Sequence, residues 1–385
     1  MGDYTAIQSV TGAARPLAAW TYSNPALTAL EYERVLRPAW HLACHVSTIP
    51  HAGDYTTMDL DGDSVIVVRD RAGNINAFQN FCRHRAARLL DGTGRCPGAI
   101  RCPYHGWTYD LDGGLRGAPV PASFADLDKQ GIALKSVHVE IMLGFVFVCL
   151  ADEKPPLREK WGDLLDELAP YRFEEMVPIG EIYEEVWDVD WKVVMDNYLE
   201  SYHVPVGHPG LQRMFTPDYD DSVALESGVS RGVSHMRERT SSVWSESQYQ
   251  KLVGRVATGV PESLRTQWRF YSMLPNLGID IFPDQMDFFQ VFPRGPGKAV
   301  IRMGMFGLPD DRREMKLLRY LNWRINREVQ REDETLCARV MRGLRSRDYV
   351  PGQFSMLEGL VLQFHKLILD KIPEAGAASV PASLR

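Results

Sequence analysis

Apolar and polar positions divide the chain into two textures. From His41 to about Leu150 the apolar residues come in short runs such as Ser64 to Arg69 and Ile75 to Phe78. Asp61-Gly62, Ala72-Gly73 and Asp112-Gly113-Gly114 separate them. Strand-like runs between tight-turn signals predict a small antiparallel β domain. The longest apolar run, Ile141 to Leu150, reads as one buried strand. Ahead of this region, Leu27 to Trp40 has helical spacing, with Pro25 before it and Arg37-Pro38 interrupting it. Behind it, residues 154 to 180 predict a connector with one helix, Trp161 to Leu168. A helix from Trp191 to His203 follows, with Trp191, Met195, Tyr198 and Tyr202 on one stripe and Asp196, Glu200 and His203 opposite; Pro205 ends it. After a polar stretch, Thr216 to Gln250, come strands at Gly278 to Phe282, Asp287 to Phe292 and Ala299 to Phe306. Long helices at Asp310 to Leu344 and Ser355 to Ile372 close the pattern, and the Ala/Pro/Ser tail from Glu374 to Arg385 reads as mobile. Strands capped by long helices, without βαβ alternation, give an α+β chain. The expected segments are a helical residues 1–40 packing on the larger domain, a β domain at 41–153, and the larger domain at 154–385.

Composition narrows the partners. At 385 residues with 45% hydrophobic content, the chain is long enough for two cores. A net charge of −7 without a basic block excludes nucleic acid as a general partner. No stretch approaches eighteen consecutive apolar residues, and Met1-Gly2-Asp3-Tyr4 does not open a secretory signal. A soluble cytoplasmic enzyme, with no membrane partner, is the expectation. Six scattered cysteines disfavour a disulfide scaffold.

Two clusters carry chemistry. Cys82-Arg83-His84 and Cys102-Pro103-Tyr104-His105 each supply a thiolate and an imidazole on a short turn. Such a pair holds either zinc with S₂N₂ ligation or a two-iron cluster with two histidines on one iron. Zinc ribbons use paired cysteines two to four residues apart, which neither half has. Downstream, His203 and His208 stand five residues apart across Pro205, with Glu200 and Asp196 nearby. Two imidazoles and a carboxylate suit iron(II), zinc or copper. In the helix around Arg331-Glu332-Asp333-Glu334 the apolar stripe is Ile325, Val329, Leu336, Val340 and Leu344. Asp333 falls within that stripe, Glu332 at its edge, and Glu334 nearly opposite. A carboxylate on a buried face is costly unless it is paired or metal-bound.

The flanks Asn80-Phe81-Cys82-Arg83-His84-Arg85 and Arg101-Cys102-Pro103-Tyr104-His105-Gly106-Trp107 resemble the two ligand loops of Rieske [2Fe–2S] domains. The extra cysteines of the respiratory Rieske proteins are missing, Ala87 and Tyr104 standing in their place. Cys96 reads as a partly buried thiol. The chain therefore resembles the terminal oxygenase (alpha) subunit of a Rieske non-heme iron oxygenase. Glu200-Ser201-Tyr202-His203-Val204-Pro205-Val206-Gly207-His208 matches that family's acid-x₂-His-x₄-His spacing.

The resemblance implies a good deal more. The fold would be an all-β Rieske domain followed by a helix-grip-like catalytic domain. The [2Fe–2S] cluster would sit on Cys82, His84, Cys102 and His105, and a mononuclear Fe(II) on His203, His208 and Asp333. Glu200 would bridge electrons between subunits of a homotrimer, and Asn197 would be an outer hydrogen-bond donor to the site. The chain has no dinucleotide fingerprint, so electrons from NAD(P)H would come through a flavin-containing reductase or a ferredoxin. Glu200, where most members have Asp, resembles the choline, carnitine, glycine-betaine and N-demethylase subgroup. Hydroxylation next to nitrogen, and hence N-dealkylation, is the expected reaction with O₂ on a small organic substrate; aromatic-ring hydroxylation or O-demethylation is the alternative. The substrate would lie near Leu274, Asn276, Phe288 and Phe292. Trp244, Tyr249, Trp268 and Tyr271 are available as an aromatic cage for a cation.

Overall fold

The computed structural model describes residues 16–124, 127, 130–217 and 223–385, so residues 1–15 of the expected N-terminal segment lie outside it. The chain separates into two compact units, residues 37–157 and residues 16–36 with 158–385. No helix among the described residues is long and apolar enough to cross a membrane.

The smaller unit is built from β1 (Trp40–His45), β2 (Asp54–Leu60), β3 (Asp63–Arg69), β4 (Ile75–Gln79), β5 (Thr93–Arg95), β6 (Ile100–Arg101), β7 (Thr108–Tyr109), β8 (Leu115–Gly117), β9 (His138–Met142) and β10 (Phe145–Cys149). They form three antiparallel sheets ordered β4-β3-β2-β5, β1-β10-β9 and β6-β7-β8. Ile66, Val68 and Phe78 pack with Ile100, Trp107 and Tyr109 in a core beneath the Cys/His turns. The ten-residue apolar run is a hairpin rather than one strand. Leu143 and Gly144 turn it with φ of 54° and 74°, the two positive values that a tight hairpin of primed type requires. β10 is buried along its whole length, which is why the run carries no polar alternation.

The larger unit packs its long helices on one face of a long antiparallel sheet. Its strands are β11 (Val177–Pro178), β12 (Tyr183–Trp187), β13 (Val223–Ala224), β14 (Val229–His235), β15 (Gln267–Met273), β16 (Leu277–Ile281), β17 (Met286–Pro293) and β18 (Ala299–Gly307). The order is β11-β18-β17-β16-β15-β14-β13, with β12 also pairing β18. Its helices are α1 (Pro25–Glu31), α2 (Arg158–Trp161), α3 (Leu164–Leu168), α4 (Trp191–Tyr198), α5 (Val204–Gly207), α6 (Pro209–Met214), α7 (Trp244–Val256), α8 (Arg313–Leu344) and α9 (Gly359–Lys371). Trp191 and Met195 of α4, Cys337 and Met341 of α8, and Phe364 and Ile368 of α9 bury together with Val291 and Ile301 of the sheet. Farther along α8, Met315, Leu318, Leu321 and Ile325 pack on Trp268 and Phe282.

Several sequence expectations change. The helix expected to reach His203 stops at Tyr198, with Leu199 as its C-cap. Pro205 does not end it; it opens α5, where a missing N–H costs nothing because the first helical turn has no acceptor for it. Tyr202 consequently leaves the stripe and is 59% exposed. The connector helix is two pieces, α2 and α3, parted by Gly162 at φ 49°. The polar stretch holds β14 and the start of α7. Val340, placed on the buried stripe of α8 by spacing, is exposed, and the stripe runs instead through Cys337 and Met341. The C-terminal tail is docked. Ala375 and Leu384 are buried in the core of α4 and α9, and the Trp20 indole and Asn24 amide donate to the carbonyls of Ala377 and Leu384.

Candidate metal centres

The two Cys/His turns are copies of one knuckle. The Cys82 N–H donates to the Ala87 carbonyl at 2.8 Å, and the Ala86 N–H donates back to the Cys82 carbonyl at 2.9 Å. Cys102 repeats this with Trp107 at 2.7 Å and Gly106 at 3.1 Å. The fourth residue after each cysteine is left-handed, φ 55° at Ala86 and 72° at Gly106. That conformation is free at glycine and costs about 1–2 kcal/mol at alanine. Both cysteines are buried, and the His84 and His105 rings meet edge to face at 4.7 Å. His84 also stacks on Trp107, 7° from parallel. The backbone N–H of Arg83 and the Cys82 sulfur both meet the Tyr109 hydroxyl, at 3.0 and 3.2 Å. His84 Nδ1 is buried without a hydrogen-bond partner. A buried ring nitrogen left free is suited to be a metal ligand and costly otherwise. Two buried thiols and two converging imidazoles on twin turns fit a [2Fe–2S] cluster with two histidines on one iron.

The second centre draws on three elements. His203 lies in the turn after α4, His208 between α5 and α6, and Asp333 on α8. One ligand atom from each falls within 4.8 Å of the others. His203 Nε2 and His208 Nε2 face each other at 3.1 Å, and Asp333 Oδ1 stands 3.1 Å from the latter and 3.7 Å from the former. The opposite ring nitrogens are occupied. His203 Nδ1 donates to Glu200 Oε1 at 2.6 Å, and His208 Nδ1 to Glu332 Oε2 at 2.8 Å. With the Nδ1–H tautomers fixed in this way, two nitrogen lone pairs and an anionic oxygen point at one spot, an arrangement that repels itself unless a cation fills it. Burial lowers the His208 pKa, but hydrogen bonds and charges from Asp333 and Glu332 outweigh it and the net shift is upward. Two imidazoles and one carboxylate on one side of an ion, the other side open, fit mononuclear iron(II). Gly207 belongs to the geometry, since a Cβ there would stand 2.9 Å from Leu336 and 3.2 Å from the His203 ring.

Three outer residues hold the ligands. The Asn197 amide donates to Asp333 Oδ1 at 2.7 Å. Glu200, beyond its hydrogen bond to the ring, accepts the His203 backbone N–H at 3.0 Å. Glu332 went unassigned in the sequence, although its place at the edge of the α8 stripe beside Asp333 was the available signal.

Pleat alternation shows which face of the sheet is turned toward the helices that carry the ligands. On β16, β17 and β18 the strand residues that keep partial exposure are Asp280, Asp287, Phe289, Met303 and Met305, while their neighbours are buried. These residues share one face and neighbour one another across the strands: Asp280 with Asp287, Phe289 with Met303, Asp287 with Met305. The face looks toward α4 and α8. Phe289 meets the Tyr198 ring edge-on at 4.5 Å, and Gln330, one turn before Asp333, donates to the Met303 sulfur at 3.4 Å. This face of the sheet therefore lies beneath α4 and α8, the helix that carries Asp333.

The expected substrate residues do not line it. Phe288 and Phe292 alternate to the other face, where Phe288 stacks on Phe306 under Arg302. The buried Asn276 amide donates to the Val291 carbonyl, and Leu274 is buried in the core of α4 and α9. The candidate cage does not assemble either. Tyr249 and Trp268 pack together in the α7–α8 core, Tyr271 faces Trp161, and Trp244 is 61% exposed.

Comparison with known proteins matches residues 39–136 to the Rieske [2Fe–2S] domain family and residues 173–374 to the ring hydroxylating alpha subunit (catalytic domain) family. The glycine betaine monooxygenase oxygenase subunit of Chromohalobacter salexigens is 30% identical, the match covering 87% of this chain and 80% of that protein. The chloroplastic choline monooxygenase of Spinacia oleracea is 28% identical over 91% of this chain and 76% of that protein. Among solved structures, a quaternary ammonium Rieske monooxygenase in complex with L-carnitine superposes with a TM-score of 0.75 at 21% identity, covering 93% of this chain and 96% of that one. Naphthalene 1,2-dioxygenase with indole bound gives 0.72 at 20%, covering 94% and 92%. Likeness at these identities establishes the shared α+β fold. The chain thus belongs to the Rieske non-heme iron oxygenases as a terminal oxygenase (alpha) subunit, an O₂-using oxidoreductase whose metal centres are a Rieske [2Fe–2S] cluster and a mononuclear iron.

Proposed function

We propose that this oxygenase hydroxylates a C–H bond next to nitrogen, so that the product breaks down to an aldehyde and a dealkylated amine. The observation that carries this reading is its similarity, over most of both chains, to glycine betaine and choline monooxygenases. The substrate class is accordingly a quaternary ammonium compound, an amine, or an N-alkyl amide or urea. When bound at His203, His208 and Asp333, the iron supplies the reductive activation of dioxygen. The chain's own residues do the rest. Glu200 and Glu332 keep both imidazoles in the tautomer whose Nε2 faces the metal, and Asn197 fixes the Asp333 carboxylate. The substrate enters along Phe289 and Met303. Electrons originate in NAD(P)H and arrive through a separate flavin-containing reductase, with or without a ferredoxin.

The assembly we infer is a homotrimer in which electrons pass from His105 of one chain, through Glu200 of the next, to His203. The 2.6 Å contact between Glu200 and His203 supports the second half of that path. The decisive experiment supplies reductase, NADH and N-methyl compounds and measures formaldehyde. Formaldehyde in step with O₂ uptake is expected; ring hydroxylation or O-demethylation in its place would overturn the assignment.

A further inference from the structure

The Tyr198 hydroxyl sits between two acceptors, 3.0 Å from the Tyr271 carbonyl oxygen and 2.8 Å from Asp280 Oδ1. It has one hydrogen to give, and a carbonyl has none. Both contacts are hydrogen bonds only when Asp280 carries a proton, donating it to Tyr198 Oη while Tyr198 donates to Tyr271. The surroundings agree. Asp280 has Asp287 as its direct cross-strand neighbour, and neither carboxyl has a Lys or Arg partner among the described residues. Two adjacent, largely desolvated carboxyls without a cation between them resist ionising together. The groups facing them are Tyr198 from α4, Asp333 from α8, Asp284 and Gln285 from the β16–β17 turn, and Tyr183 from β12. Burial pushes Asp280 up to about 7, the Tyr198 hydrogen bond opposing and the Asp333 charge adding to it. Asp287 is held well above the usual carboxylate range by burial and by Asp280.

This pair stands on the sheet face that α4 and α8 cover. Tyr198 follows Asn197, whose amide is on the Asp333 carboxylate. We propose that Asp280 is the proton store of the oxygenase centre, with Tyr198 as its switch and Asp287 as its reserve. Hydroxylation of R–H takes up O₂, two electrons and two protons and yields R–OH and water. The electrons come from the Rieske cluster. Asp280 gives its Oδ1 proton to the oxygen atom that leaves as water. The Tyr198 hydroxyl then swings from Tyr271 to the new carboxylate and stabilises it, until Asp287 hands over a second proton.

Infrared spectroscopy tests the store without any substrate. The difference between wild type and Asp280→Asn near pH 6 should contain a neutral carboxylic C=O band that shifts in D₂O and fades above about pH 8. Nitric oxide added to the Fe(II)-loaded protein, as a surrogate for O₂, should perturb that band. Tyr198→Phe, which removes the switch, should make the band persist to higher pH, and it decides the matter if Asp280→Asn does not fold. With a substrate identified by formaldehyde release, Asp280→Asn should slow kcat by about 100-fold with KM nearly unchanged. An unchanged band in Asp280→Asn, a band indifferent to nitric oxide, or a wild-type kcat would each overturn the proposal. The first two leave the dealkylation reading untouched.

Discussion

Asp333 and Glu332 are consecutive residues with different tasks, one aimed at the ion and the other at the back of His208. Replacing the ligand and replacing its support should therefore differ. Asp333→Asn or His203→Ala should lower iron from about three atoms per chain to about two, the cluster spectrum remaining. Glu332→Gln should retain three and bind the third more weakly; equal loss in both would refute the division. A second prediction concerns Asp284, which is 4% exposed and accepts from Tyr249 and Asn322. Burial raises its pKa from 3.8 to about 6. Between these two values the native state holds a proton that the unfolded chain has lost, so the Asp284 contribution to stability is full below pH 4 and is lost as pH rises to 6. Asp284→Asn should remove that decline, gaining about 3 kcal/mol on wild type between pH 4 and 7. Parallel stability curves would exclude Asp284 as its source. At this scale the Cys/His turns and the His203–His208 pair that the structure brings together were legible because their spacing is local and the chemistry restrictive. The residues on the sheet face beneath α4 and α8 were not. Phe289 and Phe288 look alike in sequence, and only the phase of the pleat, set by pairing with β18, decides which faces Tyr198 of α4.

At the scale of elements, α4 is fastened where it begins. Asp190 caps it by accepting the Lys192 N–H, and the Lys192 ammonium lies 2.7 Å from both Asp190 and Glu31, all three out of water. Trp191 also donates to Glu31, and Tyr22 and His365 both donate to Asp196 one turn along. Segments distant in sequence, α1 and α9, thereby set the helix that delivers His203. Lys192→Met should cost about 3–5 kcal/mol, because it strands two buried carboxyls. Recovery in Glu31→Gln/Lys192→Met, read from denaturant midpoints, would confirm that stranding and not lost packing is the cause. The sequence disclosed α4 by its apolar period but not its end. Stopping at Tyr198 frees the next residues to turn, and that turn lets Glu200 reach both the backbone and the ring of His203. Helical periodicity carries no information about such a break.

For the whole molecule, the β domain and the helix-covered sheet were legible from changes in hydrophobic texture. The docked tail was not, since Ala, Pro and Ser resemble linker composition until Trp20 and Asn24 take up its carbonyls. The proposed path between copies makes a prediction of its own. A chain lacking the mononuclear iron, Asp333→Asn, and one lacking the cluster, Cys102→Ala, should each be inactive alone. Mixed and reassembled, they should regain partial turnover, and Glu200→Gln in the second chain should abolish the gain. Failure of the mixture to work at all would confine electron transfer to a single chain.

The iron ligands also have a mechanical meaning. His208 and its partner Glu332 are separated by 124 positions, and an iron held by His203, His208 and Asp333 would tie a short turn to a 32-residue helix. Such an ion is a reversible cross-link that closes a long loop, and any ligand that binds only the native state adds stability, about 3 kcal/mol at a hundredfold excess over Kd. Chelating this iron while sparing the cluster should therefore loosen the molecule unevenly. Amide hydrogen exchange should quicken across residues 199–214 and in the middle of α8, with β15 to β18 unaffected. Uniform exchange would mean that the tether bears no load. If it does, loss of iron leaves an oxygenase that is not only idle but open to proteolysis at its own active site.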